Sequence, residues 1–151
     1  MRNSIIILFV SLLFFSYAKA EEQSIAGFWK TIDDTTKKPR SIVQLYVKDG
    51  ELRAKIVKIF LREGEDENPV CDKCPGDKKN KPAMGMEILT GMEKRGDEWS
   101  GGHILDPDSG RSYRCRMRLT DNGQKLDVRG FIGISLLGRT QTWIRVSSPN
   151  G

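Results

Sequence analysis

Beyond residue 20 the chain shows almost no helical periodicity. Short segments alternate apolar with polar residues and are broken by turn residues, the pattern of half-buried antiparallel strands. Eight such segments are expected, near 25–31, 42–48, 51–61, 85–93, 97–105, 111–120, 125–132 and 136–146. Their order and spacing point to an up-and-down meander.

Two turns set the register. Asp49-Gly50 reads as a two-residue hairpin turn, because both residue types tolerate positive φ. It places Val47 opposite Leu52, Leu45 opposite Ala54 and Val43 opposite Ile56, all on one face, and sends Gln44, Tyr46, Arg53 and Lys55 to the other. Asn122-Gly123 acts in the same way on the sixth and seventh segments. It pairs Leu119 with Leu126, Met117 with Val128 and Cys115 with Gly130, and sets Arg118 across from Asp127 on the polar face. Asp106-Pro107-Asp108-Ser109-Gly110 makes a further turn that aligns Ile104 with Tyr113 and leaves His103 outside. Lys94-Arg95-Gly96 is expected as a three-residue loop, which puts Met86, Ile88 and Thr90 inside.

Strands with one apolar face must close or stack, since an open sheet leaves wet edges. The expected fold is therefore all-β, an eight-stranded up-and-down antiparallel barrel, with room for about one small ligand. Tight hairpins gather at one end. The long connections 32–41 and 62–84 gather at the other and make it the mouth of a cup.

The first twenty residues stand outside this pattern. Met1–Ala20 has Arg2, an apolar run from Ile5 to Phe15 and a small-residue ending at Ala18-Lys19-Ala20, which reads as a signal peptide cleaved after Ala20. The expected organisation is thus 1–20 signal peptide and 21–151 single domain, exported to the periplasm or secreted, with no membrane segment in the mature form. Without Arg2 and Lys19 the 25 basic residues fall to 23 against 20 acidic ones, and a net charge of +3 gives no case for nucleic-acid binding.

Gly27-Phe28-Trp29, Thr120-Asp121 and the late Arg145 fall at matching places of an up-and-down barrel, where Arg145 would cover the Trp29 indole at the closed end. This arrangement resembles the lipocalins and their wider calycin relatives, with Gly27, Trp29 and Arg145 as the structural signature. A second resemblance covers most of the mature chain. Gly85-Met86-Glu87-Ile88-Leu89, Gly101-Gly102-His103-Ile104-Leu105-Asp106-Pro107, Leu126-Asp127-Val128-Arg129-Gly130-Phe131-Ile132-Gly133 and Leu137-Gly138-Arg139-Thr140-Gln141-Thr142-Trp143 look like the uncharacterised bacterial export family known as domain of unknown function 2147. That resemblance implies a bacterial secreted or periplasmic lipocalin-like barrel and carries no chemistry with it.

Cys71 and Cys74 form a C-x-x-C in a polar stretch, open to three readings: a redox pair, a metal half-site or a loop-closing disulfide. Zinc wants four Cys or His ligands, and dithiol catalysis is usually set at a helix N-terminus. The chain has one His and lacks such a helix, so the disulfide is favoured and neither metal nor cofactor is expected. Arg139 and Gln141 share the inner face with Trp143. A buried guanidinium needs a partner, so Arg139 should meet an anionic ligand head, an internal carboxylate or water at the rim. Tyr113 offers a hydroxyl at the same height. Ile56, Phe60, Met86, Ile88, Ile104 and Ile132 form the expected apolar wall, with Cys115 as a buried residue beside it. Arg114, Arg116 and Arg118 make an outward basic stripe, read as a solvated face diluted by Asp127. The paired acids Glu63, Glu65, Asp66 and Glu67 are expected to be ordinary solvated carboxylates, and the mixed charges of 32–41 to carry nothing specific.

No nucleophile, base and orienting group assemble, so an enzyme is not expected. The expected function is a lipocalin-like binding protein for a small, mainly hydrophobic ligand, with an anionic head as one option. The alternative is a filled barrel that contacts another protein through its long loops. A cavity of roughly 300 Å³ or more separates the first from the second.

Overall fold

The computed structural model describes residues 23–150. The expected signal peptide lies outside them. Eight strands, β1 (Gly27–Ile32), β2 (Pro39–Lys48), β3 (Glu51–Ile59), β4 (Glu87–Arg95), β5 (Glu98–Asp106), β6 (Arg111–Thr120), β7 (Lys125–Phe131) and β8 (Arg139–Val146), follow one another round the molecule. All neighbours are antiparallel, and β1 pairs with β8 to close the barrel. The fold is the expected one. Its boundaries differ in detail: β2 starts at Pro39, a first position where no ladder N–H is needed. Residues 136–138 belong to the loop before β8, where Ser135–Leu137 make a single turn.

Both register-setting turns act as expected. Asp49 and Gly50 take positive φ, and Lys48 pairs with Glu51, Val47 with Leu52, Leu45 with Ala54 and Val43 with Ile56. At the other hairpin Asp121, Asn122 and Gly123 all take positive φ, and Met117 meets Val128, Cys115 meets Gly130 and Arg118 meets Asp127. Between β4 and β5 the loop is Gly96-Asp97, two residues rather than three, because Arg95 pairs with Glu98. Thr90, expected inside, is exposed because β4 carries an extra residue between the pairs Leu52–Met92 and Ala54–Leu89, which keeps both Met92 and Leu89 inward and turns Thr90 out.

Five bulges break the alternation, one each in β2, β3 and β5 and two in β4, each re-aiming the residues beyond it. Val57 is the extra residue of β3 between the pairs Val43–Ile56 and Ile42–Lys58. Ile88 is one of the two in β4, between Ala54–Leu89 and Lys55–Glu87. The bulge at Gly101-Gly102 in β5 rests on glycine's lack of a side chain. A Cβ at Gly102 would stand 2.2 Å from the Thr90 carbonyl oxygen.

The closed half is solid. Trp29, Leu45, Leu52, Leu89, Met92, Met117 and Leu126 are fully buried there. The Arg145 guanidinium lies 4.2 Å from the centre of the Trp29 ring. It donates to the carbonyls of Gly123 (2.6 Å), Ser24 (2.7 Å) and Ala26 (3.2 Å), so one side chain ties the chain's entry, its exit and the β6–β7 turn together. A Cβ at Gly27 would meet Arg145 Nη1 at 2.9 Å, which is why a glycine precedes the tryptophan by two.

Candidate functional site

The open half is hollow, with a cavity of about 460 Å³. Its floor and walls are built by inward residues of every strand. Val43, Ile56, Ile59, Ile88, Ile104, Val128 and Trp143 supply the apolar surface. Tyr113 lies diagonally beside Gly130 across β6 and β7, where a Cβ added at Gly130 would meet the Tyr113 Cβ at 3.5 Å. The Tyr113 hydroxyl has no hydrogen-bond partner among the described residues. Thr31 and Ser41 hydroxyls bond to each other at 2.8 Å on the β1–β2 side.

Charge is confined to the mouth. The β1–β2 loop brings Asp33 and Asp34, the β3–β4 connection brings Arg62 and Glu65, and the β5–β6 turn brings Asp108. Arg40 on β2 donates to Glu65 at 2.8 Å and, in a two-pronged contact, to both Asp108 oxygens at 2.7 and 3.2 Å. Arg62 pairs with Asp33, with Glu65 at 3.2 Å and with Asp108 at 3.3 Å. Arg139 pairs with Asp34, whose carboxylate also accepts from Gln141 Nε2 at 2.6 Å. Gln141 Oε1 in turn receives the Trp143 indole N–H at 3.3 Å, linking rim to floor.

These contacts depress the carboxyl groups. The backbone N–H of Thr36, and then Arg62, hold Asp33 well below the usual carboxylate range. Burial alone would raise Glu65 and Asp108. The Arg62 backbone N–H with Arg40 outweighs it at Glu65, and Arg40 followed by Arg62 outweighs it at Asp108, so both are lowered. Groups depressed in the fold stabilise it above their unfolded values and lose that contribution as pH falls through the folded ones. Protection factors in the 60–86 segment, with the intrinsic pH dependence of amide exchange divided out, should therefore stay constant from about pH 7 to about pH 5 and fall only below about pH 4.

The 60–86 segment folds over the mouth, with Pro69, Val70 and Ala83 lining the cavity. Cys71 and Cys74 form a disulfide, and both are buried. Cys71 Sγ sits 3.1 Å from the Pro107 carbonyl oxygen. A Cβ at Gly110 would meet the Lys73 carbonyl at 2.1 Å, so the disulfide loop packs directly on the β5–β6 turn.

Of the residues expected at a ligand site, Arg139, Tyr113, Gln141, Ile56, Ile88 and Ile104 line the cavity. Four do not. The Val57 bulge puts Ile59 inside and turns Phe60 away, where its ring carries Lys58 Nζ at 5.1 Å. Met86 precedes β4 and is buried in the core without reaching the cavity. Ile132 follows the end of β7 and is 67% exposed. Cys115 is buried one layer deeper, opposite Gly130. Burial pushes its thiol up to about 12, so the native protein should resist alkylation at neutral pH while the urea-unfolded chain is modified completely; labelling read by mass spectrometry checks this.

Asp33, Asp34, Arg40, Arg62, Glu65 and Asp108 were not anticipated as parts of the site. Glu65 is a partnered carboxylate rather than a freely solvated one. The signal was present only as opposite charges in three loops that share one end of the barrel. Among the described residues no group of three or more His, Cys, Asp or Glu is placed to hold a metal ion.

The family model for an uncharacterized protein conserved in bacteria (DUF2147) matches residues 27–145, from the first glycine of β1 to the closing arginine of β8. The chain belongs to this family. No curated protein matches it. Among solved structures it is similar to a Helicobacter pylori protein described as belonging to the lipocalin family (HP1028). The TM-score is 0.71 at 21% identity, over 84% of this chain and 86% of that one. That likeness establishes the barrel and leaves the family's chemistry to be argued from the cavity.

Proposed function

We propose that this family member is an exported binding protein for a small, mainly apolar molecule held in the open half of the barrel. The observation that carries it is the cavity of about 460 Å³, with an apolar floor and its charges gathered at the rim. A volume in this range suits a small ligand, and the filled barrel required by the alternative reading is absent. Arg139 alone would favour an anionic head. However, Arg40, Arg62 and Arg139 each face a carboxylate, and the cavity-lining acids Asp33, Asp34, Asp106 and Asp108 outnumber these three guanidinium groups. The arrangement favours a neutral, hydrogen-bonding head, with the unpartnered Tyr113 hydroxyl as its first contact. Export is supported by the leader pattern of Met1–Ala20 and is compatible with the Cys71–Cys74 disulfide, a bond that persists in oxidising compartments.

The test is solvent extraction of protein purified from its own bacterium, with the extract read by mass spectrometry, and displacement of a fluorescent fatty-acid probe by the compounds found. A co-purifying neutral amphiphile that displaces the probe is the expected result. An empty extract with no probe binding overturns the reading.

A further inference from the structure

The β7–β8 connection carries an unusual concentration of exposed apolar side chains. Ile132 is 67% exposed, Ile134 62%, Leu136 82% and Leu137 77%, all within six residues. Isolated apolar residues on a surface need no explanation; a contiguous group of this size marks a contact. The loop is also held in shape. Arg129 donates to the Ser135 carbonyl at 2.9 and 2.6 Å and to that of Leu136 at 3.3 Å. Arg116 reaches the Ser135 hydroxyl at 3.3 Å, and Arg114 the Gly133 carbonyl at 3.4 Å. The Leu137 and Gly138 N–H groups close the turn onto Ile134 and Ser135.

Much of the backbone is thus satisfied internally while the aliphatic side chains face outward. That combination suits a medium poor in water, where unpaired backbone groups are costly. The electrostatics name the medium. From Val128 to Gly151 the chain has no Asp or Glu, and Arg114 and Arg129 form no ion pair among the described residues. Arg116 is paired with Glu98 at 2.7 Å, so the collar around the tip remains net positive. A second copy seated here through a two-fold axis would set these arginines against themselves.

We propose that the Ile132–Leu137 tip is a membrane-docking element that inserts its aliphatic side chains into a bilayer surface containing anionic lipid, with Arg114 and Arg129 against the headgroups. The proposal is independent of what occupies the cavity. It accounts for the basic stripe of β6, one end of which forms part of this collar.

The experiment is vesicle co-sedimentation with protein beginning at Glu21, so that the apolar run of residues 5–15 contributes nothing; every strand of the barrel lies beyond that start. Vesicles of phosphatidylglycerol with phosphatidylethanolamine are compared with phosphatidylcholine alone. Binding to the anionic vesicles should exceed binding to phosphatidylcholine by about ten-fold or more and weaken as salt is raised. The double variant Leu136→Ser/Leu137→Ser should lose that binding with an unchanged circular dichroism spectrum. Charge reversal at Arg114 (Arg114→Glu) should reduce the preference for anionic lipid while leaving the thermal midpoint close to that of the parent. Equal sedimentation of parent and Leu136→Ser/Leu137→Ser, no sedimentation of either, or a solution dimer that the double variant dissociates would each overturn the proposal.

Discussion

Replacing Trp29 by alanine should lower folding stability by about 3–5 kcal/mol, the usual cost of emptying a fully buried aromatic site. Trp29 has no exposed surface, and its indole N–H donates to the Ile25 carbonyl at 3.0 Å. The substitution removes that donor, leaves the Arg145 guanidinium without the ring beneath it, and opens a void in the half of the barrel that has none. The loss is large against a total of about 5–15 kcal/mol for a typical domain. Urea unfolding followed by fluorescence of Trp99 and Trp143 would show a midpoint shift at constant slope. Arg145→Met should cost less, because the aliphatic stem still covers the indole, while the bonds to Ser24, Ala26 and Gly123 are lost. The cycle of the two single variants and the double variant should show coupling of about 0.5–2 kcal/mol, the range of a cation–π contact. A loss below about 1 kcal/mol for Trp29→Ala would mean that the closed half is not the solid part of the core.

A tryptophan at Ile104 should abolish uptake of an apolar probe, with affinity falling about 100-fold, or about 2.7 kcal/mol. Ile104 is half-buried on the cavity wall, paired with Tyr113 and Leu89. An indole there has free volume to grow into, so the fold should pay no more than about 1–3 kcal/mol for overpacking while the ligand space is lost. Val47→Trp is the matched control. Val47 is half-exposed at the closed end beside the β2–β3 turn, and the same side chain there should leave probe binding unchanged. Equal affinity in Ile104→Trp and the parent would place the probe outside the barrel. Fluorescence titration distinguishes these outcomes directly.

Legibility of the site followed legibility of the turns. Asp49-Gly50 and Asn122-Gly123 are short-range signals, and the registers they impose hold along their hairpins. Hence Ile56, Tyr113 and Cys115 fall on the inner face as their spacing requires. Phe60, Thr90 and Ile132 do not fall where alternation puts them, because a bulge (in β3 for Phe60, in β4 for Thr90) or a strand end intervenes. A bulge leaves little trace in sequence when the extra residue is apolar, as at Val57 and Ile88. Gly91 in β4 and the Gly101-Gly102 pair in β5 are the visible marks of others.

The amino-acid pattern alone determined the number of strands, their meander order and the face that the β2–β3 and β6–β7 hairpins bury. These depend on contacts between chain neighbours or on the period of two, which is local. Closure decided the rest. Bending eight strands into a cylinder inserted the bulges that choose which isoleucines face the cavity. It also brought Asp33, Asp34, Arg40, Arg62, Glu65, Asp108 and Arg139, from three connections and two strands, into one charged rim. Charges far apart along the chain have no preferred partner until the backbone brings them within a few ångströms. The mouth therefore belongs to the tertiary structure, and the barrel beneath it to the sequence.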